Sequence, residues 1–269
     1  MTTPPTLHPG DTIAIISTAR KVKRDYIEKA IDIFKGWGLN VKTGKHLFSE
    51  YNQFAGTDEQ RASDLQEMLD DDAVRAIICA RGGYGTVRII DRIDFSQFAR
   101  KPKWIAGFSD VTVLHSHIHQ HFGIETLHSM MPVNLKNDNP QHALDSLRSA
   151  LFGEYTGFSF PVHPMSRPGK CKGLLTGGNL SILYSLTGSS SDINTDGKIL
   201  FIEDLDEYLY HVDRMMMNLK RSGKLENLAG LLVGGMTEMN DNPSPFGRIP
   251  EEIILETIKD YDYPVFFSA

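Results

Sequence analysis

Hydrophobic and polar positions follow two regimes along this chain. Short runs such as TIAIIST (12–18), AVRAIICA (73–80) and KWIAG (103–107) are apolar and rich in β-branched residues, as strands buried on both faces are. Longer stretches between them have helical spacing. In RDYIEKAIDIFKGWG (24–38), Ile27, Ile31 and Phe34 fall on one face and glycines close the run. LNVKTGKH (39–46) reads as a second strand. Thr57-Asp58-Glu59-Gln60 has the spacing of a capping box, and RASDLQEMLDD (61–71) continues that helix. Residues 84–92 and DVTVLHSHIHQHF (110–122) are expected to be further helices. This alternation predicts a mostly parallel α/β sheet with helices on both faces.

HALDSLRSALFG (142–153) is expected to be the helix that closes a first domain, 1–152. Residues 153–172 carry Gly, Pro and Ser without helical period and read as a linker. A smaller α/β domain is expected over 173–269. Its pieces are a short helix in GGNLSILYSLTG (177–188), a strand in KILFIED (198–204), and a helix in LYHVDRMMMNLKRSG (209–223). The strand AGLLVGG (229–235), a helix opened by Pro250 with Glu251 and Glu252, and the strand YPVFFSA (263–269) complete it.

Composition narrows the partners. The chain has 269 residues, 41% hydrophobic and 23% charged, with a formal charge of −6 and no basic block. That argues against nucleic acid or an anionic membrane as the main partner. The two cysteines, Cys79 and Cys171, form no CxxC, so neither a disulfide framework nor a cysteine-based zinc site is suggested. MTTPPTLHPGD has neither a basic n-region nor an apolar h-region, and no run of about 18 apolar residues occurs. A soluble, cytoplasmic protein is the expectation.

Two loops follow strand ends with unusual chemistry, where open α/β sheets bind ligands. In Gly107-Phe108-Ser109-Asp110 a serine occupies a strand-to-helix corner. It is a candidate nucleophile with an oxyanion donor in the next N–H. The generic GxSxG elbow fails at its last position, and Ser109 and Asp110 also suit a helix N-cap. Arg81-Gly82-Gly83-Tyr84-Gly85 lets backbone N–H groups approach an anion; a flexible turn is the simpler alternative. Glu203, Asp204, Asp206 and Glu207 cluster at the end of KILFIED. One of them could orient a catalytic histidine; a solvated acidic turn capping the next helix is the alternative. The alternate histidines of HSHIHQH (115–121) invite a metal, but helical spacing splits them over two faces without a completing carboxylate. They read as a histidine-rich helix surface, and no metal is expected.

Taken together, these pieces resemble the LD-carboxypeptidases, serine peptidases that include the microcin C resistance hydrolases. The shared stretches are PGD (9–11) before an apolar strand, RGGYG, GFSD, FIED with the following YHVDRM (210–215), and LLVGG (231–235). They stand in family order and span nearly the whole chain. The resemblance implies a Rossmann-like parallel-sheet domain similar to class I glutamine amidotransferases, followed by a smaller α/β domain. It implies Ser109 as nucleophile, Glu203 as the acid of a Ser–His–Glu triad, and the N–H groups of Asp110 and Gly83 as the oxyanion hole. Arg81, Gly82 and Tyr84 are the expected substrate-binding residues, Arg81 as a partner for the substrate carboxylate. The implied activity removes the terminal D-alanine of murein tetrapeptide in cell-wall recycling, in a homodimer and with no cofactor. The rival readings are an immunity-type hydrolase of acyl-aminoacyl-nucleotides and a non-catalytic murein-peptide binder. The family's histidine lies in a G-H pair after the last apolar strand, and none of the ten histidines of this sequence matches it. The expectation is that the base follows Ala269 and that a chain ending there binds peptide without turnover. His128 matches a family position after the fifth strand, not the triad.

Overall fold

Thr12–Ile16 forms the first strand, β1, and its neighbours follow the alternation of the sequence. Helix α1 (Arg24–Gly36) precedes β2 (Asn40–Thr43), α2 (Asp58–Asp70) precedes β3 (Val74–Cys79), and α3 (Ser96–Arg100) precedes β4 (Trp104–Gly107). Helix α4 (Thr112–Phe122), β5 (Leu127–His128) and α5 (Gln141–Leu151) complete the first unit. This is a computed structural model; it describes residues 1–136, 141–154 and 157–268. All strands of the first unit are parallel, in the order β2-β1-β3-β4-β5. The order reverses between β1 and β3, so the loops leaving β1, β3 and β4 share the edge where such sheets bind ligands.

The apolar runs explain the layers. Ile13, Ile15, Ala76, Ile78 and Ala106 pack with Ile27, Ala30 and Phe34 of α1 and Leu144, Leu147 and Leu151 of α5. Alternate residues Ile77 and Ile105 are equally buried on the other face, where α2 packs on β3 and α4 on β4. The capping box forms as expected: Thr57 Oγ1 accepts from the Gln60 N–H, and Gln60 Oε1 from the Thr57 N–H. One expectation fails. Residues 84–92 are not a helix but two 3₁₀ turns, Thr86–Arg88 and Ile90–Arg92.

The chain divides into two compact units, Met1–Gly157 and Phe158–Ala269. Residues 155 and 156 of the expected linker, and Ala269, lie outside the described residues. Within 158–172 the chain is not featureless: Arg167 exchanges backbone hydrogen bonds with Val265 at 2.8 and 3.0 Å. The second unit contains β6 (Leu175–Asn179), α6 (Leu180–Leu186), β7 (Ile199–Leu205), α7 (Leu209–Arg221), β8 (Gly230–Thr237), α8 (Pro250–Thr257) and β9 (Val265–Phe267). Its sheet is parallel in the order β6-β7-β8-β9. Strand β6 was not expected; the helix read from Gly177 begins only at Leu180. Met215 and Met216 are buried in the core of this unit with Leu200, Ile202 and Val233.

Candidate active site

Ser109 follows β4 at φ +60°, a left-handed conformation that costs a non-glycine residue about 1–3 kcal/mol. Phe108 before it is extended, and a 3₁₀ turn, Ser109–Val111, leads into α4. A half-buried serine is thus held at a strained strand-to-helix corner, the geometry of a nucleophile elbow. The N-cap alternative is not what forms, because α4 has Val111 at its N-cap and no side-chain cap. The Asp110 carboxylate turns away from its own helix and accepts the Thr86 N–H through Oδ2 at 2.9 Å.

The glycine loop meets this corner directly. A Cβ on Gly82 would lie 3.2 Å from Ser109 Cβ and 3.3 Å from Asp110 N, so any larger residue would push the two loops apart by a few tenths of an ångström. Gly83 has φ +110°, and a Cβ there would strike the Arg20 side chain at 2.5 Å. The structure therefore brings Ser109, Asp110 and Gly82 together, with Gly83 next in the chain. Arg81 is half-buried and donates Nη1–H to the Lys21 carbonyl at 3.0 Å, bracing the loop after β1. Tyr84 is 44% exposed, its ring 6.1 Å from that of Phe54.

Beneath the elbow lies a polar network that sequence reading missed. Asp110 is fully buried; burial pushes its carboxyl up, and the bonds from Thr86 and Gly85 and the charge of Arg61 oppose this. Thr86 Oγ1 lies 2.9 Å from Thr18 Oγ1. The buried Arg61 donates Nη1–H to the carbonyls of Thr18 (2.7 Å) and Gly85 (2.9 Å) and pairs with Asp58. In the sequence Arg61 looks like any charged residue of an amphipathic helix. His115 was missed as well. It is not on a helix surface but 2% exposed, and its Nε2–H donates to the Gly107 carbonyl at 2.9 Å. Burial lowers its pKa to about 4, which keeps the ring neutral. His128 is exposed at the residue level, with its ring 5.9 Å from that of Phe108 and 6.3 Å from that of His115. The helix-surface reading holds for His121. Among the described residues no group of three or more His, Cys, Asp or Glu could hold a metal ion.

In the second unit, Glu203 sits near the end of β7, in register with Asn179 of β6. Strand β8 carries one extra residue opposite it, since Ile202 pairs with Val233 but Asp204 with Met236. This bulge falls at Gly234 and Gly235 of LLVGG, and a Cβ on Gly234 would lie 3.2 Å from Glu203 Cβ. Glu203 Oε1 is buried without a hydrogen-bond partner among the described residues. Burial raises the Glu203 pKa to about 7; the Asp204 charge adds to the rise and a bond from Asn179 opposes it. Asp204 is 3% exposed, so the solvated-turn reading does not fit it. Its Oδ2 accepts the Ser181 N–H (2.9 Å), and its Oδ1 accepts Asn179 Nδ2 (3.0 Å) and the Leu205 N–H (2.9 Å). It closes the N-terminus of α6, not of the following helix. Asp206 is exposed and accepts from Asn240 Nδ2 at 2.8 Å, and Glu207 pairs with His211 at 2.6 Å. Of the four carboxylates, Glu203 alone combines burial with an oxygen free to receive a partner.

The sequence matches the family model of the LD-carboxypeptidase N-terminal domain over residues 13–129 and that of the C-terminal domain over 172–269. It is 42% identical over 235 residues to a probable murein peptide carboxypeptidase of Bacillus subtilis (strain 168), covering 86% of this chain and 73% of the relative. Among solved structures it is similar to a muramoyltetrapeptide carboxypeptidase from Oxalobacter formigenes, with TM-score 0.84 and 26% identity over 96% of this chain and 87% of that one. The microcin C7 self-immunity protein MccF, in complex with aspartyl sulfamoyl adenosine, shares the fold with TM-score 0.86 at 21% identity, covering 99% and 89%.

Proposed function

The chain belongs to the LD-carboxypeptidase family, and we propose that it is a serine-type carboxypeptidase that removes the terminal D-alanine of murein tetrapeptide. The observation that carries this reading is the left-handed Ser109, packed against Gly82 at the carboxyl edge of the first sheet. Ser109 Oγ attacks the last peptide carbonyl. Its proton passes to a histidine base, whose other ring nitrogen Glu203 holds through Oε1. The N–H groups of Asp110 and Gly83 receive the oxyanion. The proton then goes to the leaving D-alanine nitrogen, and water, activated by the same base, hydrolyses the acyl-enzyme. Acyl and proton transfers balance the reaction without a cofactor. Arg81, Gly82 and Tyr84 line the loop that would meet the substrate. As the family resemblance implies, the substrate is a cytoplasmic murein fragment and the enzyme a homodimer.

His115 does not suit the base. Its Nε2–H is committed to Gly107 and its charged form is disfavoured down to about pH 4, below the range where a general base works best. Ser109→Ala is the direct test. It should lower kcat on murein tetrapeptide by about 10³-fold or more, as loss of a triad serine does, with an acyl-aminoacyl-nucleotide assayed in parallel as counter-substrate. Turnover within tenfold of the parent, or preference for the nucleotide, would overturn the reading.

A further inference from the structure

We propose that the Asp110 side chain is the positioning residue of the oxyanion site, tying the serine elbow to the glycine loop so that both N–H donors keep one spacing. This rests on the serine-peptidase reading and deepens it. The two donors belong to different loops, one after β4 and one after β3, and no regular secondary structure joins those loops to each other. Loop backbone is free to drift unless something holds it. The Asp110 carboxylate is that tie. Its own residue carries one donor, and its Oδ2 accepts the Thr86 N–H at 2.9 Å, three residues beyond Gly83. Gly82, between Arg81 and Gly83, is packed so closely on the elbow that a Cβ there would come within 3.3 Å of Asp110 N.

The rest of the network holds the tie in place. Thr86 Oγ1 is 2.9 Å from Thr18 Oγ1, which brings in the loop after β1. Arg61 reaches the Thr18 and Gly85 carbonyls with one nitrogen and places its charge near Asp110. Asp58 binds Arg61 through Nη2, and Arg88 in turn binds Asp58 at 2.7 Å. A buried carboxylate is costly where its oxygens lack partners, and Asp110 Oδ1 is buried without one among the described residues, so the Oδ2 bond to Thr86 is held at a cost. The departure from GxSxG therefore has a physical reason. A glycine at 110 would leave the elbow but remove the tie.

Asp110 is a positioning residue, not a catalytic one, since its side chain faces the network and not the substrate edge. In the full-length enzyme, Asp110→Ala should lower kcat on murein tetrapeptide about 100-fold, as displacement of an oxyanion donor does, with KM within about threefold. The Ki of a peptide boronate, which places a tetrahedral anion in the same hole, should rise by a similar factor. Asp110→Asn still offers an oxygen to the Thr86 N–H and should recover to within about tenfold of the parent. If the Ala variant does not fold, Thr86→Val carries the test: it deletes the hydroxyl that faces Thr18 and should cost about threefold to tenfold in kcat at unchanged KM. A lowered Tm with kcat unchanged would mean a structural brace only and would overturn the inference. So would an Asn variant as slow as the Ala variant. Survival of turnover in Ser109→Ala would overturn the underlying reading together with this one. Ser109-dependent turnover that is indifferent to Asp110 and Thr86 would overturn this one alone.

Discussion

Replacing Glu203 by Gln should make the second unit more stable while it removes the proposed grip on the base. Burial and the nearby Asp204 hold the Glu203 carboxyl at about 7 against an ordinary 4.5. At 1.36 kcal/mol per tenfold change in the proton equilibrium, ionising it in the native state costs up to about 3 kcal/mol. The sign follows from proton counting. Below pH 4.5 the group is protonated in the folded and unfolded chain and costs nothing. Between about 4.5 and 7 the unfolded chain releases the proton and the native chain keeps it, so stability falls as pH rises. Above about 7 both are ionised and the cost is constant. Glutamine does not titrate, so its advantage over the parent should grow by up to about 3 kcal/mol from pH 4 to pH 8. The amide carries a burial cost of its own at every pH, which makes the slope the readout and not the absolute difference. The measurement is denaturation of residues 1–269 between pH 4 and 8. Trp37 and Trp104, the two tryptophans, both lie in the first unit, so fluorescence follows that unit and far-ultraviolet circular dichroism adds the second. At the upper limit the Tm gap between variant and parent should widen by about 12 °C from pH 4 to pH 8 if the second unit, Phe158–Ala269, melts by itself. Parallel pH curves for parent and variant would refute a buried, strained carboxyl at 203.

Two further outcomes test the frame around the site. Gly177→Ala should prevent the second unit from folding or destabilise it by more than about 3 kcal/mol, because φ is +126° and a Cβ would sit 1.9 Å from the Phe201 carbonyl oxygen. Gly188→Ala, at φ +79° with nothing within 4 Å, should cost only about 1–2 kcal/mol; equal losses in urea denaturation would contradict this account of how β6 meets β7. Amidating the C-terminus of murein tetrapeptide should abolish cleavage if the enzyme reads the free carboxylate, and comparable rates on acid and amide, followed by chromatography of released D-alanine, would show that it does not.

Most of the strands were legible because they are short and mainly apolar, as in TIAII of β1, VRAIIC of β3 and WIAG of β4. The exceptions share one cause, that contacts from elsewhere in the chain decided the local structure. LTGGN has no apolar alternation, yet it forms β6, where Gly177 and Gly178 lie in register with Phe201 and Ile202 of β7. Residues 84–92 have a helical pattern, but Gly85 stands at φ +143° and Asp110 accepts the Thr86 N–H, so the segment breaks into 3₁₀ turns. Ser109 could be read from strand, glycine, serine and helix in succession. The buried contact of the Asp110 side chain could not, because its partner lies 24 residues away and Arg61 bears no local mark of burial.

The histidines and the acidic cluster show how far periodicity reaches. Helical spacing correctly split HSHIHQH into different faces. Which face was buried depended on β4, whose Gly107 carbonyl accepts the His115 ring N–H. In FIED the strand period of two already places neighbouring carboxylates on opposite faces. Glu203 and Asp204 therefore had to part company: one meets the Asn179–Ser181 turn at the start of α6 and becomes structural, and the other keeps Oε1 without a partner among the described residues. Which one does which follows from the glycines of β8. Gly234 leaves room beside Glu203 Cβ, and the bulge there lets Glu203 stand outside the ladder that resumes at Asp204. An LLVGG strand beside FIED thus supplies the information that the acidic run alone lacks, and the acid assigned to the base is the one that faces the glycines.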